Sequence, residues 1–347
     1  MVNIVTAMSE IKQIRRLQLT GGSTYIVSLP KTWIDELGLK KNSNVTLVKN
    51  RNDSITIFQE EQNKKSNALA TIGKNDSKES IRRKIIAMYL SGYKTIEIKT
   101  KGVEISIIHK STIRDLVRTT LMGTEIIESS SEKMKLQVLT HLTQLSFDVA
   151  LQRMYTTAKN MHEEAMEALN ETNTEHAEDI IKMDDEVDRF SLYLLRNLNL
   201  ALENVQVLLD SGLEKPSDCL GYRTVVKCVE RIADHAGLIA KKVKYLKSPI
   251  DKKILKEIEQ ISKESLDVFE NSIDALSKRD YIMAENVATS VSKVIEKEKK
   301  LMDSLKLDEN TAIIKLILED IRRTAEYSRD ISEIAIDETV QSVIEES

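Results

Sequence analysis

Two pairs of acidic residues in the second half of the chain have the spacing of a metal-binding helix face. The segment "DDEVD" holds Asp184 and Asp188, and the segment "ERIAD" holds Glu230 and Asp234. Residues four apart lie on one face of a helix, one turn above the other. Like charges in that arrangement repel each other, so local helix stability gives no reason for either pair. Carboxylate oxygens are the ligands of hard cations.

A solvated helix face is the competing explanation, because 55 acidic residues in 347 produce about nine such pairs by chance. If one helix ends near Ala201 and the next begins near Ser217, each pair lies about 15 residues from the break, at the same height on antiparallel helices. If "LENVQVLLDSGL" instead extends the first helix, the pairs separate. Two carboxylates about 5 Å apart repel by about 3 kcal/mol at an effective dielectric constant of about 20. A divalent or trivalent cation would relieve this repulsion, and oxygen ligands favour Mg, Mn, Ca or iron over zinc.

The elements that must position these residues are long helices. From about residue 141 to 347, apolar residues recur at intervals of three and four, which predicts helix throughout. Breaks near 171–174, 203–216, 247–250, 278–281 and 306–310 predict six helices in two three-helix bundles, 141–246 and 247–347. The two halves resemble a repeat, since "EEAMEALNETNTEHAEDIIK" in the first matches "ENSIDALSKRDYIMAENVAT" in the second.

The second half departs from the acidic pattern. Arg322 stands where the first half has Glu230, and Glu326 stands where it has Asp234. Aligned on Glu298, the preceding helix has Met302 at the partner position. Aligned on "MAENVAT", that helix contains a seven-residue insertion and lacks the motif. In either alignment Arg322 neutralises the remaining charge, which predicts one metal site rather than two. His235 follows Asp234 directly and points about 100° away from it, which favours a partly exposed histidine over a ligand.

Residues 1–60 predict a small β-rich unit. "IRRLQL" and "STYIVSL" are typical of strands around Gly21-Gly22, "PKTWIDELG" of a short helix, and "NVTLVKN" and "DSITIF" of a second strand pair. This unit carries eight Lys and Arg against five Asp and Glu, within a chain of net charge −4. Four short strands and one helix bury too little surface to be stable alone. We therefore expect a homodimer formed by interlocking hairpins.

Residues 77–140 predict a small α+β domain of unknown role. "EEQNKKSNA" before it has the composition of a linker, and "TIGKNDS" lacks the upstream glycine of a phosphate-binding loop. "SIRRKIIAMYLSGY" and "STIRDLVRTTL" are typical of helices. "TIEIKT", "EIIESS" and "KMKLQVL" are typical of strands. The predicted fold class is thus multidomain α+β and all-α: a swapped-hairpin β dimer domain, a small α+β domain and two three-helix bundles.

The helical region resembles the PhoU family of phosphate-uptake regulators. That family carries a Glu/Asp-x-x-x-Asp motif on two of the three helices of a bundle, and "DDEVD" and "ERIAD" match it. The resemblance covers about residues 141–340. It implies two three-helix bundles and a metal ion or metal cluster bound by Asp184, Asp188, Glu230 and Asp234.

The N-terminal stretch "IRRLQLTGGSTYIVSLPKTWIDELGL" resembles the SpoVT/AbrB family of swapped-hairpin dimers that bind DNA. In that family, basic residues of the first strand and the short helix contact DNA, which implies roles for Lys12, Arg15, Arg16 and Lys31. The helix positions that often hold an arginine pair are Ile34 and Asp35 here. The order of the three regions resembles the archaeal-type PhoU regulator fusion.

Three functions follow as hypotheses. The first is a dimeric regulator of phosphate uptake that binds promoter DNA through its N-terminal unit and relays phosphate status through its metal-bearing bundle. By resemblance, its protein partner would be a phosphate transporter ATPase or a signalling kinase. The second is an adaptor that binds no DNA and acts only on such a partner. The third, a di-iron carboxylate enzyme, is disfavoured because the residue three after Glu230 is Ala233 rather than histidine. We expect no enzyme.

Composition indicates the cellular compartment of the protein. Cys219 and Cys228 are the only cysteines in 347 residues, which excludes a disulfide framework and favours a reducing compartment. The first residues lack a signal-peptide core, and no run of about 18 apolar residues occurs. We therefore expect a cytoplasmic protein without a membrane span.

Overall fold

The computed structural model describes residues 12–49, 54–58, 67–139 and 145–344. The chain divides into two compact units, residues 1–64 and residues 65–347. None of the described helices is both long and apolar enough to cross a membrane.

The N-terminal unit contains the two hairpins and the short helix that the sequence predicts. Strands β1 (Gln18–Thr20) and β2 (Thr24–Ile26) pair antiparallel around Gly21 and Gly22, which have φ values of 60° and 82°. These values lie in the left-handed region, which glycine adopts without steric cost. Helix α1 (Lys31–Glu36) follows, and β3 (Thr46–Lys49) pairs antiparallel with β4 (Ile55–Phe58). Hairpin exchange between two chains stays a prediction.

The α+β domain begins one strand earlier than the sequence predicts. Its elements in order are β5 (Asn67–Ile72), α2 (Lys78–Leu90), β6 (Thr95–Thr100), α3 (Ile107–Thr119), β7 (Thr124–Ser129) and β8 (Lys133–Val138). The sheet order is β5-β6-β8-β7, with β5 parallel to β6. The predicted start at residue 77 is wrong because "NALATI" is too weakly β-forming to stand out, and its pairing with β6 makes it a strand. Of the predicted linker, residues 60–68, the part 60–66 lies outside the described residues.

The helical region contains the predicted long helices and one short additional helix. They are α4 (Phe147–Glu171), α5 (Thr174–Glu203), the short α6 (Val205–Asp210), α7 (Asp218–Val243), α8 (Lys252–Lys278), α9 (Tyr281–Ser304) and α10 (Thr311–Thr339), followed by a 3-10 turn over Val340–Ser342. α4, α5 and α7 pack as one three-helix bundle, and α8, α9 and α10 as the other. The prediction of two three-helix bundles is confirmed. α7 also packs against α10, so the two bundles share one continuous hydrophobic core.

The repeat is visible in the turns that join the first two helices of each bundle. Thr172 and Arg279 both have φ 52°, in the left-handed region, and both directly follow the last residue of a helix. The next residues, Asn173 and Asp280, each cap the following helix by accepting a backbone N–H hydrogen bond. The two bundles therefore join α4 to α5 and α8 to α9 through equivalent turns with equivalent caps.

Candidate metal centre

The two acidic pairs lie on neighbouring helices, and the break between these helices falls where the metal-site hypothesis requires it. α5 ends at Glu203 and α7 begins at Asp218. Asn204 has extended dihedral angles, φ −140° and ψ 111°, and its side chain accepts hydrogen bonds from the backbone N–H groups of Gln206 and Val207. This cap begins α6, so the alternative in which α5 continues through the segment is wrong.

The packing of α5 against α7 brings the four carboxylates into one neighbourhood. Asp184 lies in the electrostatic field of Asp234, Lys241 and Glu230. Asp188 lies in the field of Glu230 and Asp234. All four predicted ligands therefore lie near one another.

Burial and mutual repulsion raise the pKa of these carboxyl groups. Desolvation, followed by the charge of Asp234, raises the pKa of Asp184 to about 6. Desolvation, followed by the charges of Asp184, Glu230 and Asp234, raises the pKa of Asp188 to about 7. The pKa of Asp234 is also raised, first by desolvation and then by Glu230. A nearby cation would act in the opposite direction, because an opposite charge stabilises the ionised form.

The carboxylates do not form a closed coordination sphere by themselves. Lys227 donates a hydrogen bond to Glu230, and Asp234 is exposed to solvent. Across the described ranges, no three His, Cys, Asp or Glu side chains are arranged to hold a metal ion. The donor set suits a hard cation because all four side chains are carboxylates. A bound cation would have to displace Lys227 from Glu230, and metal binding stays a prediction.

The second bundle carries an arginine at the corresponding place. Nε of Arg322 lies 3.5 Å from Glu298 on α9, and Nη2 lies 3.6 Å from Glu319. Nη1 donates to Glu326. Glu298 is 4% exposed, so this ion pair is largely buried. The prediction that Arg322 neutralises the remaining acids is confirmed, and its contact with Glu298 favours the alignment based on that residue.

His235 belongs to a polar cluster between the two bundles. Its Nδ1 lies 2.9 Å from Oδ1 of Asp320, whose other oxygen accepts a hydrogen bond from Lys242. The ring lies 5.8 Å from the ring of Tyr327 between centroids. The prediction that His235 is partly exposed is confirmed, with 19% of the side chain accessible.

Two further residues of α5 join the bundle to the α+β domain, and the sequence analysis did not single them out. Arg196 is buried, donates to the backbone carbonyl groups of Tyr89 and Gly92, and lies 4.8 Å from the centre of the Tyr89 ring. Asn199 donates to the carbonyl of Leu90 over 2.9 Å. These carbonyl groups end α2, where the helix dipole favours a cation. The sequence does contain a signal for this contact, since Arg196 interrupts the apolar stripe of α5.

The four predicted DNA-binding residues all lie on the surface of the N-terminal unit. Lys12, Arg15 and Arg16 precede β1, and Lys31 begins α1; all four are exposed. Arg15 donates to the side chain of Gln13 over 2.5 Å. DNA contact by these residues stays a prediction.

The fold thus defines a class of protein in which a small hairpin unit and an α+β domain precede paired three-helix bundles. Residues 18–67 match the family model described as "Antidote-toxin recognition MazE, bacterial antitoxin", and residues 151–243 match the PhoU domain model. A phosphate-specific transport system accessory protein PhoU homolog from Clostridium acetobutylicum is 30% identical over 161 residues, which are 45% of this chain and 69% of that protein. The chain belongs to the PhoU family, with a MazE/AbrB-like domain at its N-terminus.

Two solved structures are similar in fold. PhoU from Pseudomonas aeruginosa superposes with a TM-score of 0.47 at 17% identity, covering 56% of this chain and 96% of that one. The phosphate transport system regulatory protein PhoU from Streptococcus pneumoniae superposes with a TM-score of 0.45 at 19% identity, covering 58% of this chain and 100% of that one.

Proposed function

We propose that this protein is a dimeric, non-catalytic regulator of phosphate transport. In this proposal, Asp184, Asp188, Glu230 and Asp234 bind a hard metal ion, and the N-terminal unit binds promoter DNA. The observation that supports the metal proposal is the proximity of four carboxylates on two packed helices, where desolvation and then the neighbouring charges raise the pKa of Asp184 and Asp188. A bound cation would neutralise the cluster and cross-link α5 to α7.

Dimerisation is supported by the exposed apolar residues of the N-terminal unit. Leu19 and Tyr25 are cross-strand partners and are 59% and 66% exposed, and Leu47 and Ile55 on the other hairpin are 62% and 66% exposed. Among the described residues of this unit, only Pro30 is buried. Apolar surface of this extent is stable in water when a second chain covers it. We expect two chains to form one joint core from their four hairpins.

The metal proposal is tested by elemental analysis of the purified full-length protein after expression in metal-replete medium. We expect a stoichiometric metal ion in the wild type and its loss after Asp188→Ala with Asp234→Ala. The matched control is Asp185→Ala with Glu186→Ala, which removes two exposed acids from the same segment and should leave the metal in place. A wild-type protein without metal would overturn the proposal.

DNA binding is tested by the salt dependence of binding to the promoter of the protein's own operon. Lys and Arg contacts to phosphates release counterions, so affinity should fall steeply as salt rises. Arg15→Ala with Arg16→Ala should abolish the shift, whereas Lys40→Ala with Lys41→Ala, also exposed, should weaken it less. Absence of binding at low salt would exclude the DNA-binding role.

The second candidate function is an adaptor that binds no DNA. Asp35 favours it, because this exposed acid lies on α1, where the resemblance places DNA contacts. In that case the N-terminal unit serves only as a dimer clamp. The partner proposed in both cases is a phosphate transporter ATPase or a signalling kinase, and co-purification with either one tests that part.

A further inference from the structure

An open cleft of about 340 Å³ lies between the α+β domain and α5, and its lining includes none of the four carboxylates. Its walls come from the second half of α3, from the turn into β7 and the beginning of that strand, and from Arg189 on α5. This volume is at the lower end of the range for small-molecule sites. A small ligand therefore has room between the two structural parts.

The cleft concentrates positive charge from two separate elements. Arg114 and Arg118 lie four residues apart on α3 and thus on the same face, and Arg189 faces the same cleft from α5. None of the three forms a salt bridge with a carboxylate of the described residues. Like charges brought together by tertiary packing repel, and an anion between them would remove the repulsion. The guanidinium fork matches phosphate and carboxylate oxygens in geometry.

Two buried polar atoms at the cleft have no hydrogen-bond partner in the described part of the chain. Nε of Arg189 and Oγ1 of Thr124 are both inaccessible to solvent and form no hydrogen bond with the described residues. Thr124 is 4% exposed and lines the cleft. A buried donor without an acceptor costs about 1–3 kcal/mol. Ligand oxygens in the cleft would satisfy such donors.

Glu125 is the only acidic residue in the cleft wall. A carboxylate repels a fully deprotonated anion such as sulfate. Hydrogen phosphate carries a P–OH group, which can donate a hydrogen bond to a carboxylate. The wall therefore combines three cations with one acceptor, a combination that suits hydrogen phosphate better than sulfate.

We propose that this cleft binds a phosphate-type dianion, either inorganic phosphate or the phosphoryl group of a small metabolite. Arg114, Arg118 and Arg189 bind the oxygens, and the Thr124 hydroxyl donates a hydrogen bond to one of them. When the ligand is hydrogen phosphate, Glu125 accepts a hydrogen bond from its P–OH group; the dianion of a phosphate monoester has no P–OH group and does not make this contact. The site is separate from the carboxylate cluster, although Arg189 directly follows Asp188 and points about 100° away from it on the same turn of α5. Binding here does not require a metal at that cluster.

The test is isothermal titration calorimetry of the full-length protein with inorganic phosphate, in metal-free buffer of constant ionic strength. We expect saturable binding with one site per chain. Arg189→Gln, and separately Arg114→Gln with Arg118→Gln, should each weaken it at least tenfold. The matched control, Arg83→Gln, removes the same charge from an exposed position of α2 outside the cleft and should change affinity less than twofold. Thermal melts of all variants establish that they are folded.

Two further titrations separate the ligand sources and test the acceptor. AMP or glycerol 3-phosphate binding tenfold more tightly than inorganic phosphate would assign the cleft to a phosphorylated metabolite; the reverse order would assign it to free phosphate. Sulfate should bind more weakly than phosphate, and Glu125→Gln should reduce that difference. Absence of saturable binding by any phosphate probe at 5 mM, or an equal loss in Arg83→Gln, would overturn the proposal. Because the buffer contains no metal, this result is independent of the metal analysis.

Discussion

The two bundles share a helical framework and differ in the charged residues that lie next to their acidic side chains. Both join their first two helices through a left-handed residue and a capped turn, at Thr172 and Arg279. In the first bundle, four carboxylates lie near one another, and burial followed by their mutual repulsion raises the pKa of Asp188 to about 7. In the second, Arg322 contacts Glu298, Glu319 and Glu326.

The first bundle thus carries the proposed cation site, whereas the acids of the second bundle pair with an arginine of the same chain. In the second bundle Arg322 contacts three carboxylates and Arg323 pairs with one of them, so these acids have cationic partners within the chain. Among the described residues of the first bundle, Lys227 forms a salt bridge with Glu230, and the charge of Lys241 partly offsets the rise that desolvation causes in the pKa of Asp184 and Asp234. The same helical framework therefore supports a structural role in one half and a proposed binding role in the other. The predictions below test this difference, beginning with the largest expected effect.

Replacing Arg322 in the second bundle should give the largest loss of stability. Arg322→Met leaves buried Glu298 without a partner, and we expect the free energy of unfolding to fall by about 3–4 kcal/mol at pH 8. Chemical denaturation measures this loss. The double variant Arg322→Met with Glu298→Met removes both charges and should recover most of it. A loss below about 1 kcal/mol in the single variant would show that the ion pair is not structural.

The bundles also differ at a buried position, where the first has His162 and the matching place in the second has Phe269. Nε2 of His162 lies 2.8 Å from Ser262 Oγ, and burial lowers its pKa from 6.5 to about 4. Because the unfolded chain takes up this proton first, stability should fall by about 3 kcal/mol as the pH drops from 6.5 to 4. Denaturation of the wild type and His162→Gln across this range measures it. Equal pH dependence in both proteins would contradict the prediction.

Removing one acid from the first bundle should stabilise the metal-free protein. The pKa of Asp188 is higher in the folded chain than its ordinary value of 3.8, so the unfolded chain ionises first and the free energy of unfolding falls as the pH rises from about 4 to about 7. Asp188→Asn should add about 1–2 kcal/mol at pH 8, after allowance for partial exposure, and nothing below pH 4. Glu326→Gln in the second bundle should instead destabilise, since Glu326 pairs with Arg322. If Asp188→Asn and Glu326→Gln both stabilised the protein, the proposed difference between the two acidic clusters would be wrong.

The smallest effect concerns the lysine that pairs with the metal motif. Lys227 donates to Glu230 in the metal-free protein, so a metal ion has to displace it. Lys227→Gln should raise metal affinity by about two- to fivefold, because a partly exposed ion pair of this kind contributes about 1 kcal/mol or less. Competition with a fluorescent chelator measures this change. Lys182→Gln, which removes an exposed lysine paired with Asp179, should leave the affinity unchanged.

Much of the fold was predictable because the signals are local. Apolar periodicity and capping residues define the helices, and Asn173 and Asp280 cap the helices that the repeat predicts. Gly21-Gly22 and Pro30 mark the first hairpin and the start of α1 for the same reason. The acidic pairs were found from spacing alone, since four residues on a helix are one turn. By contrast, β5 was missed because only its parallel partner β6, distant in sequence, makes it a strand.

The sequence by itself determined the helices, the hairpins, the acidic motifs and the loss of the motif at Arg322, because each depends on residues close together in the chain. Only the tertiary structure decided which charges meet. It pairs Arg322 with Glu298, turns His235 toward Asp320, and places Arg189 opposite Arg114 and Arg118. Periodicity shows which face of a helix is polar, but the height and rotation at which two helices pack depend on the whole core. The height and rotation of the packed helices decide whether a charged side chain contacts an opposite charge, a ligand or water.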